Sequence, residues 1–433
     1  MEISVDPIKV DRKNKWITFF IYFSIFINSI VLFKEPFEFY VGYLIYLILL
    51  PIFLVRYGFN KYLFIIFFVL LVNGVFNIII GNDTAGQFIK VFTGLFLSYF
   101  FYYYVILEFK YDVEQLFKWY LYGCYIAAIL GIIQFVSFQL NFFWGYNFHW
   151  LFNKWGVAKG GNFGIRVNSV FGEPTYLGAV LSAAFFVSIY NLFKKEPYYL
   201  TRFQSAIIVV VYILSFSGLG QTGIFLSLIF LAINFGLVRY IFIAIPAALL
   251  LFNLLYNNSK DFRERYDGVI QLFTTGKFEL GKTHGSSFIL YNNYVVAMEN
   301  AKNNPLLGSG IGSHPIAFEK YSIGKKIKVY GFNLNSADAN SMLLRLISET
   351  GLFGVVIFLF IIFKYYVKRD ENNDTFHWLV SNGVLVMILL NLFRQGHYFI
   401  NGFPFFVILY IYNSISYQNH LDKSKLITDV SEA

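Results

Sequence analysis

Apolar stretches of membrane-crossing length recur along the chain, separated by short polar punctuation. Twelve such stretches predict helices, at about 16–33, 37–55, 62–80, 87–107, 118–140, 175–193, 204–217, 220–238, 240–256, 341–366, 376–393 and 399–416. A helix needs roughly 20 apolar residues to cross ~30 Å of hydrocarbon, so most of these are long enough to span, and the seventh is short. Two polar segments exceed ordinary turn length. One runs over 141–174 and the other over 257–340, the latter long enough for a small subdomain. The fold class that follows is an all-α polytopic membrane protein, with 1–433 forming one integral membrane domain.

Composition strengthens this picture. Of 433 residues, 57% are hydrophobic and 21% aromatic, while only 14% are charged. Soluble domains carry about 25% charged residues, so an ordinary soluble enzyme is excluded. The N-terminal segment has a basic start (Lys9, Arg12, Lys13, Lys15), then apolar residues from Trp16 to Phe33. "KEPFEFY" follows rather than a small-residue cleavage site, which predicts a retained first span. The single Cys124 lies inside an apolar run and permits no intramolecular disulfide.

The net charge of +9 is informative only loop by loop. With the N-terminus cytoplasmic, the inside loops hold Arg56 and Lys61, Lys110 and Lys118, Lys194 with Lys195 and Arg202, Arg239, and Lys364 with Lys368 and Arg369. The tail adds Lys423 and Lys425. The short loops on the other face, "KEP", "GNDTAG" and "SGLG", hold Lys34 alone. Positive charge marks cytoplasmic loops, so both termini are predicted inside, with 141–174 and 257–340 outside. The larger outer loop carries ten Lys/Arg against seven Asp/Glu. An anionic ligand explains that excess, and so does the indifference of long loops to the topology rule. No internal repeat is visible, whereas many secondary transporters have matching halves.

Candidate chemistry gathers at the outer helix ends. "RVNSVFGEPTYLG" places Arg166, Glu173 and Pro174 at the mouth of the sixth helix, with Thr175 as a candidate N-cap. Glu173 suits a helix-start role, because a carboxylate complements the dipole there. Arg166 by itself also reads as a snorkelling interfacial arginine. "NSADANSMLLRLISETGLFG" puts Arg345 and Glu349 one turn apart inside the tenth apolar run. Such a pair is costly in a membrane unless it faces a polar cavity. "FRQGHYF" adds Arg394 and His397, Lys90 lies one turn into the fourth helix, and Arg263 and Arg265 open the large loop. Several cations on one face suggest a polyanion site, because the guanidinium fork bonds two phosphate oxygens at once. The aromatic run from Phe142 to Trp155 reads as an interfacial belt, or as a platform for sugar rings or a polyprenyl tail.

These segments resemble the O-antigen polymerase and ligase superfamily, the Wzy-type polysaccharide polymerases included. "RVNSVFGEPTYLG" is similar to its arginine-led helix entry, and "LSFSGLGQTGIFLSL" to its Ser-rich turn between helices. "AMENAKNNPLLGSGIGSH" is similar to its loop signature, and "NSMLLRLISETGLFG" to its exit from the loop. The four matches stand in family order over about 160–360. The resemblance implies a fold similar to class C glycosyltransferases, with the site under the large outer loop. It also implies a bacterial inner-membrane enzyme acting on undecaprenyl-diphosphate-linked oligosaccharide, without cofactor or metal; the sequence has no DxD or HExxH motif. A flippase and a chain-length regulator are the implied partners, and no nucleic acid is expected.

On this reading an acceptor hydroxyl attacks the anomeric carbon with inversion, and Arg166 and Arg345 stabilise the leaving diphosphate. Such donors contribute about 3–4 kcal/mol each. Glu173 orients or deprotonates the acceptor, or simply starts its helix. Arg263, Arg265, Arg394, His397, Lys90, His314 and Asn340 are candidate substrate contacts. Ligases of the family have a histidine where this chain has Ala339 and Asn340, and His314 and His397 are out of that register, which favours a polymerase. The alternatives are a ligase to lipid A core and a flippase of lipid-linked oligosaccharide.

Overall fold

A computed structural model of the chain describes residues 24–34, 38–258, 260–276, 285–324, 334–370 and 376–432. Residues 16–23 of the first predicted span lie outside these residues. Its described end is helical only through Phe26, so the expectation of helix to residue 33 is corrected. Val31–Phe33 (β1) instead pairs antiparallel with Phe39–Tyr40 (β2). The reason is mainly long-range. Asn28 Nδ2 donates to the Ile25 carbonyl, and the backbone beyond finds partners in the 141–174 loop. Ser29 Oγ donates to Val170 O, while Asn153 bonds both the N–H and the carbonyl of Val31.

Four helices follow in turn: α1 (Val41–Tyr57), α2 (Lys61–Ile79), α3 (Ala85–Glu108) and α4 (Val113–Gln139). Short polar residues set their starts. Asn60, Thr84 and Asp112 each accept backbone N–H groups that the first turn leaves unpaired. Asp112 starts α4 five residues ahead of the expected Lys118, which draws that lysine into the helix. The next three are α5 (Pro174–Phe193), α6 (Arg202–Leu214) and α7 (Gly218–Asn234). Thr201 and Gln204 form a capping box on α6, and Ser217 caps α7. α8 (Ile241–Asn258) leads to α9 (Lys260–Thr275), α10 (Gly285–Asn303) and the short α11 (His314–Tyr321). The chain then closes with α12 (Met342–Lys364), α13 (His377–Arg394) and α14 (Phe403–Glu432).

Among the described residues six helices, α2, α3, α4, α5, α12 and α13, are long and apolar enough to cross a membrane by length and composition. α1, α6 and α7 are shorter apolar helices. Side-chain burial sorts them by position. α5 and α13 are buried almost all round and pack against one another, with Ala179, Ser182, Ala183 and Ala184 of α5 wholly enclosed. Small residues let helix backbones approach where no hydrophobic force separates helix from lipid. The outer helices present apolar surface instead. Phe64, Ile65, Phe68 and Val69 of α2 and Leu352, Phe353, Val356 and Phe360 of α12 are each more than half exposed. Several long apolar helices, greasy outside and polar in places within, make this an all-α membrane-embedded protein.

The 257–340 segment contributes α9 to α11 and has a small core of Leu272, Phe288, Val296, Ala317, Phe318 and Leu334. In 141–174 the aromatic run divides. Phe148, Phe152 and Trp155 form a small buried cluster, while Phe142, Phe143, Trp144 and Trp150 stay exposed.

Candidate functional site

The site is assembled where α12 begins. Ser341 caps that helix by accepting from Leu344 N–H, and its own hydroxyl donates to Leu392 O (2.6 Å), tying α12 to the end of α13. One turn in, Arg345 Nε donates to Glu349 Oε1 (2.9 Å), and Arg345 Nη1 donates to Gly396 O (2.9 Å). The guanidinium carbon lies 4.3 Å from the Tyr398 ring centroid, and Tyr398 OH donates to Glu349 Oε2 (3.0 Å). Arg345 is 3% exposed and Glu349 0%. The predicted i, i+4 pair therefore exists and is fully inside the protein. A side chain at Gly396 would overlap the Asp338 carbonyl oxygen, so only glycine lets this backbone come close enough to receive Arg345.

α12 is broken just beyond the pair, at Gly351 (φ 61°, ψ −160°). The "PLLGSGIG" turn fills the break. Leu352 N–H donates to Pro305 O and Phe353 N–H to Leu306 O, while Ser309 N–H and Gly310 N–H donate to Ser348 O and Glu349 O. Asn300 Nδ2 fastens the junction by donating to Ser309 Oγ (2.7 Å) and Ser348 O (2.9 Å). A Cβ at Gly351 would stand 2.6 Å from Gly308 N and from Leu306 O, both backbone atoms that cannot swing aside. The loop and exit motifs are thus one hydrogen-bonded unit. The helix-entry and Ser-rich motifs meet as well, through Val167 N–H to Leu214 O (3.0 Å).

Other ionisable groups surround this unit. His314 opens α11; its backbone N–H points at Glu349 Oε1 (3.4 Å) and its Nε2 lies 3.0 Å from Asn293 Oδ1. Burial, reinforced by the Arg345 cation and only partly opposed by Asp338, takes its imidazole down to about 3. Asp338 bonds His397 Nε2 (3.0 Å) and accepts from Asn340 N–H (3.0 Å). Burial alone would raise the Asp338 carboxyl, but His397, that N–H and Arg345 hold it well below the carboxylate range. On the α2–α3 turn, Asn82 Nδ2 donates to Asn304 Oδ1 (3.1 Å), and Asp83 Oδ1 accepts from Thr84 N–H (2.7 Å). Burial pushes the Asp83 carboxyl up to about 7; the Thr84 N–H opposes this and the Glu349 charge adds to it. Glu38, ion-paired to Lys154, feels the charge of His397, and Tyr176 of α5 feels Asp338. Ionisable groups therefore run across one end of an otherwise apolar bundle.

The residues expected from the sequence divide. Arg345, His314, His397 and Asn340 come together here. Arg394 is half-buried at the last position of α13, two residues before Gly396. Arg166 is half-buried on the loop ahead of α5, where its backbone N–H donates to Ala158 O (2.8 Å). Glu173 is exposed and itself occupies the N-cap position of α5, without a side-chain cap bond. Thr175 is accordingly not the cap, and its Oγ1 donates to Glu173 Oε2 (3.0 Å). Lys90 on α3 and Arg263 on α9 are exposed. Arg265 belongs to α9 by its backbone, and its side chain lies outside the described residues.

Sequence reasoning passed over Tyr398, Asp338, Asp83, Asn293 and Asn300. Tyr398 and Asp338 stood inside quoted segments without a periodic reason to select them. Asp83 lay in a loop notable only for lacking positive charge. No protein-family model matches the chain, and no curated protein matches it.

Proposed function

We propose that the chain polymerises surface-polysaccharide repeat units, whether of O-antigen, capsule or exopolysaccharide. It transfers the growing glycan from undecaprenyl diphosphate onto the next lipid-linked unit by metal-independent, inverting glycosyl transfer. The observation that carries this reading is the buried Arg345–Glu349–Tyr398 cluster, strapped by the 305–314 turn inside the mouth of a membrane-length helix. A pair so costly to bury is retained in an apolar bundle for a task there. Arg345 Nε and Nη1 are engaged by the protein, and Nη2 carries further donors for a diphosphate oxygen. Two of the motif segments that resemble the polymerase and ligase superfamily, the loop signature and the loop exit, bond to each other at that cluster, which supports the reading.

In mechanism, the acceptor hydroxyl oxygen forms its bond to the anomeric carbon as the carbon–oxygen bond to diphosphate breaks, and the hydroxyl proton passes to water. Negative charge builds on the diphosphate, and Arg345, with Arg166 as its proposed second member, stabilises it. Twelve spans, a class C-like arrangement and cytoplasmic termini complete the proposal and place the cluster at the outer face of the bacterial inner membrane. Surface polysaccharide from a deletion strain tests it. Complementation should restore a ladder of long chains, and a ladder unchanged by deletion would overturn it. The activity should survive excess EDTA. A cysteine at Lys320, which is exposed on α11, should label from outside in a chain lacking Cys124.

One observation favours the ligase as a second reading. Both His314 and His397 stand at the cluster although neither occupies the ligase register. Loss of a ligase leaves full-length polymer on its carrier, whereas loss of a polymerase leaves single units, so the same strain separates the two.

A further inference from the structure

His314 is wholly buried, and its ring nitrogens have different surroundings. Asn293 Nδ2 donates to the carbonyls of Ile289 and Leu334 (both 2.9 Å), which fixes that amide with Oδ1 toward the histidine. A carbonyl oxygen only accepts, so Nε2 must carry the hydrogen in the 3.0 Å contact. Nδ1 is then a bare lone pair. It is buried and has no hydrogen-bond partner among the described residues. The groups facing the ring are Asn293 of α10, Asp338 of the loop ahead of α12, and Arg345 and Glu349 of α12. A buried acceptor left empty is costly, and few persist in folded proteins without a purpose or a small donor to fill them.

We infer that His314 Nδ1 is the docking point for a ligand hydroxyl, the attacking hydroxyl of the acceptor sugar on the polymerase reading, on which this inference rests. The imidazole accepts the O–H hydrogen bond and aims an oxygen lone pair at the anomeric carbon. It does not take the proton, which passes to water as the new carbon–oxygen bond forms. Its depressed basicity keeps it neutral throughout the physiological range, so the lone pair is always available. A sugar hydroxyl and a permanently buried water share the chemistry that Nδ1 recognises, and the test separates them.

Two substitutions dissect the ring. In His314→Gln the side-chain amide reaches Asn293 as Nε2–H does, while the Nδ1 acceptor is lost. In His314→Asn the Oδ1 stands where Nδ1 stood, while the strut to Asn293 is lost. Each is purified at matched monodispersity and assayed with lipid-linked repeat unit extracted from the deletion strain. A sugar-orienting role lowers kcat about tenfold to a hundredfold in His314→Gln, with KM little changed, and leaves His314→Asn within about threefold of wild type. A structural strut, or a lone pair that holds only water, gives the reverse order, and that order overturns the inference. Failure of His314→Gln to accumulate in the membrane counts the same way, because it makes Nδ1 structural. An inactive but folded His314→Gln supports the inference even if His314→Asn does not fold. Wild-type protein that forms no polymer from this substrate refutes the polymerase reading itself.

Discussion

Arg345 and Glu349 face each other across one turn of α12, Nε to Oε1 at 2.9 Å, and both side chains are buried. Opposite charges this deep neutralise each other, so removing either leaves an uncompensated charge in a dry site. Arg345→Ala and Glu349→Ala should each destabilise the protein by roughly 3–5 kcal/mol. The double variant should cost clearly less than the sum. Thermal unfolding in detergent across the four-member cycle reads the coupling. Strict additivity would mean that the pair is screened by water and is not the enclosed feature described.

The break in α12 gives a second expectation. Gly351 has a left-handed φ, and its missing side chain admits the backbone of Leu306 and Gly308. Gly351→Ala combines backbone strain of about 1–3 kcal/mol with a clash against the strap that bonds Ser348 and Glu349. Chain extension should fall sharply, while Gly86→Ala on α3, where a Cβ meets nothing within 4 Å, serves as a control. A Gly351→Ala chain that extends polymer normally would show that the strap does not position Glu349.

The helices and their order were legible because apolar runs and short polar caps such as Asn60, Thr84 and Thr201 are local signals. The Arg345–Glu349 pair was legible too, since a charge pair at helical spacing inside an apolar run stands out without a structure. What the chain concealed was non-local. Tyr398 joins Glu349 from 49 positions away, and Asn300 joins Ser348 across 48. Nothing in either neighbourhood marks those encounters. The first span's end was misjudged for a similar reason. Residues 27–33 are apolar enough for a helix, but their backbone is claimed by Asn153 and Lys154, more than 100 residues on.

The proposed diphosphate clamp makes a sharper demand on Arg166 than on Arg345. Arg345 has three protein partners, so Arg345→Lys should impair the protein whatever its substrate role. Arg166, half-buried on the loop ahead of α5, is the cleaner test. If it bonds diphosphate through its fork, Arg166→Lys should shorten the polysaccharide ladder nearly as much as Arg166→Ala. An interfacial anchor tolerates lysine, because an ammonium snorkels as well as a guanidinium. Full-length chains from Arg166→Lys at matched membrane levels would remove Arg166 from the clamp.

The final expectation concerns acid and base in the same cluster, where His314 and Asp83 titrate in opposing senses. His314 is ordinarily half-protonated near 6.5 and is held down to about 3 in the folded protein. Between those values the unfolded chain binds a proton that the folded chain refuses, so its contribution to stability is lost as pH falls, by about 1.4 kcal/mol per unit. Asp83 is raised from 3.8 to about 7, so between those values the folded chain holds a proton that the unfolded chain has released. Its contribution is lost as pH rises. Over roughly pH 4 to 6.5 the two slopes offset one another, and removing either should tilt the profile. His314→Gln leaves the Asp83 slope, so its melting temperature relative to wild type should improve from pH 7 to pH 5. Asp83→Asn leaves the His314 slope, so its relative melting temperature should fall over the same interval. It should also exceed wild type at pH 8, where an ionised carboxylate whose Oδ2 has no partner among the described residues no longer has to be buried. Melting curves of the three proteins in one detergent at pH 5, 7 and 8 suffice. Variants that tilt in the same direction would show that these two groups do not control the acid response of the site.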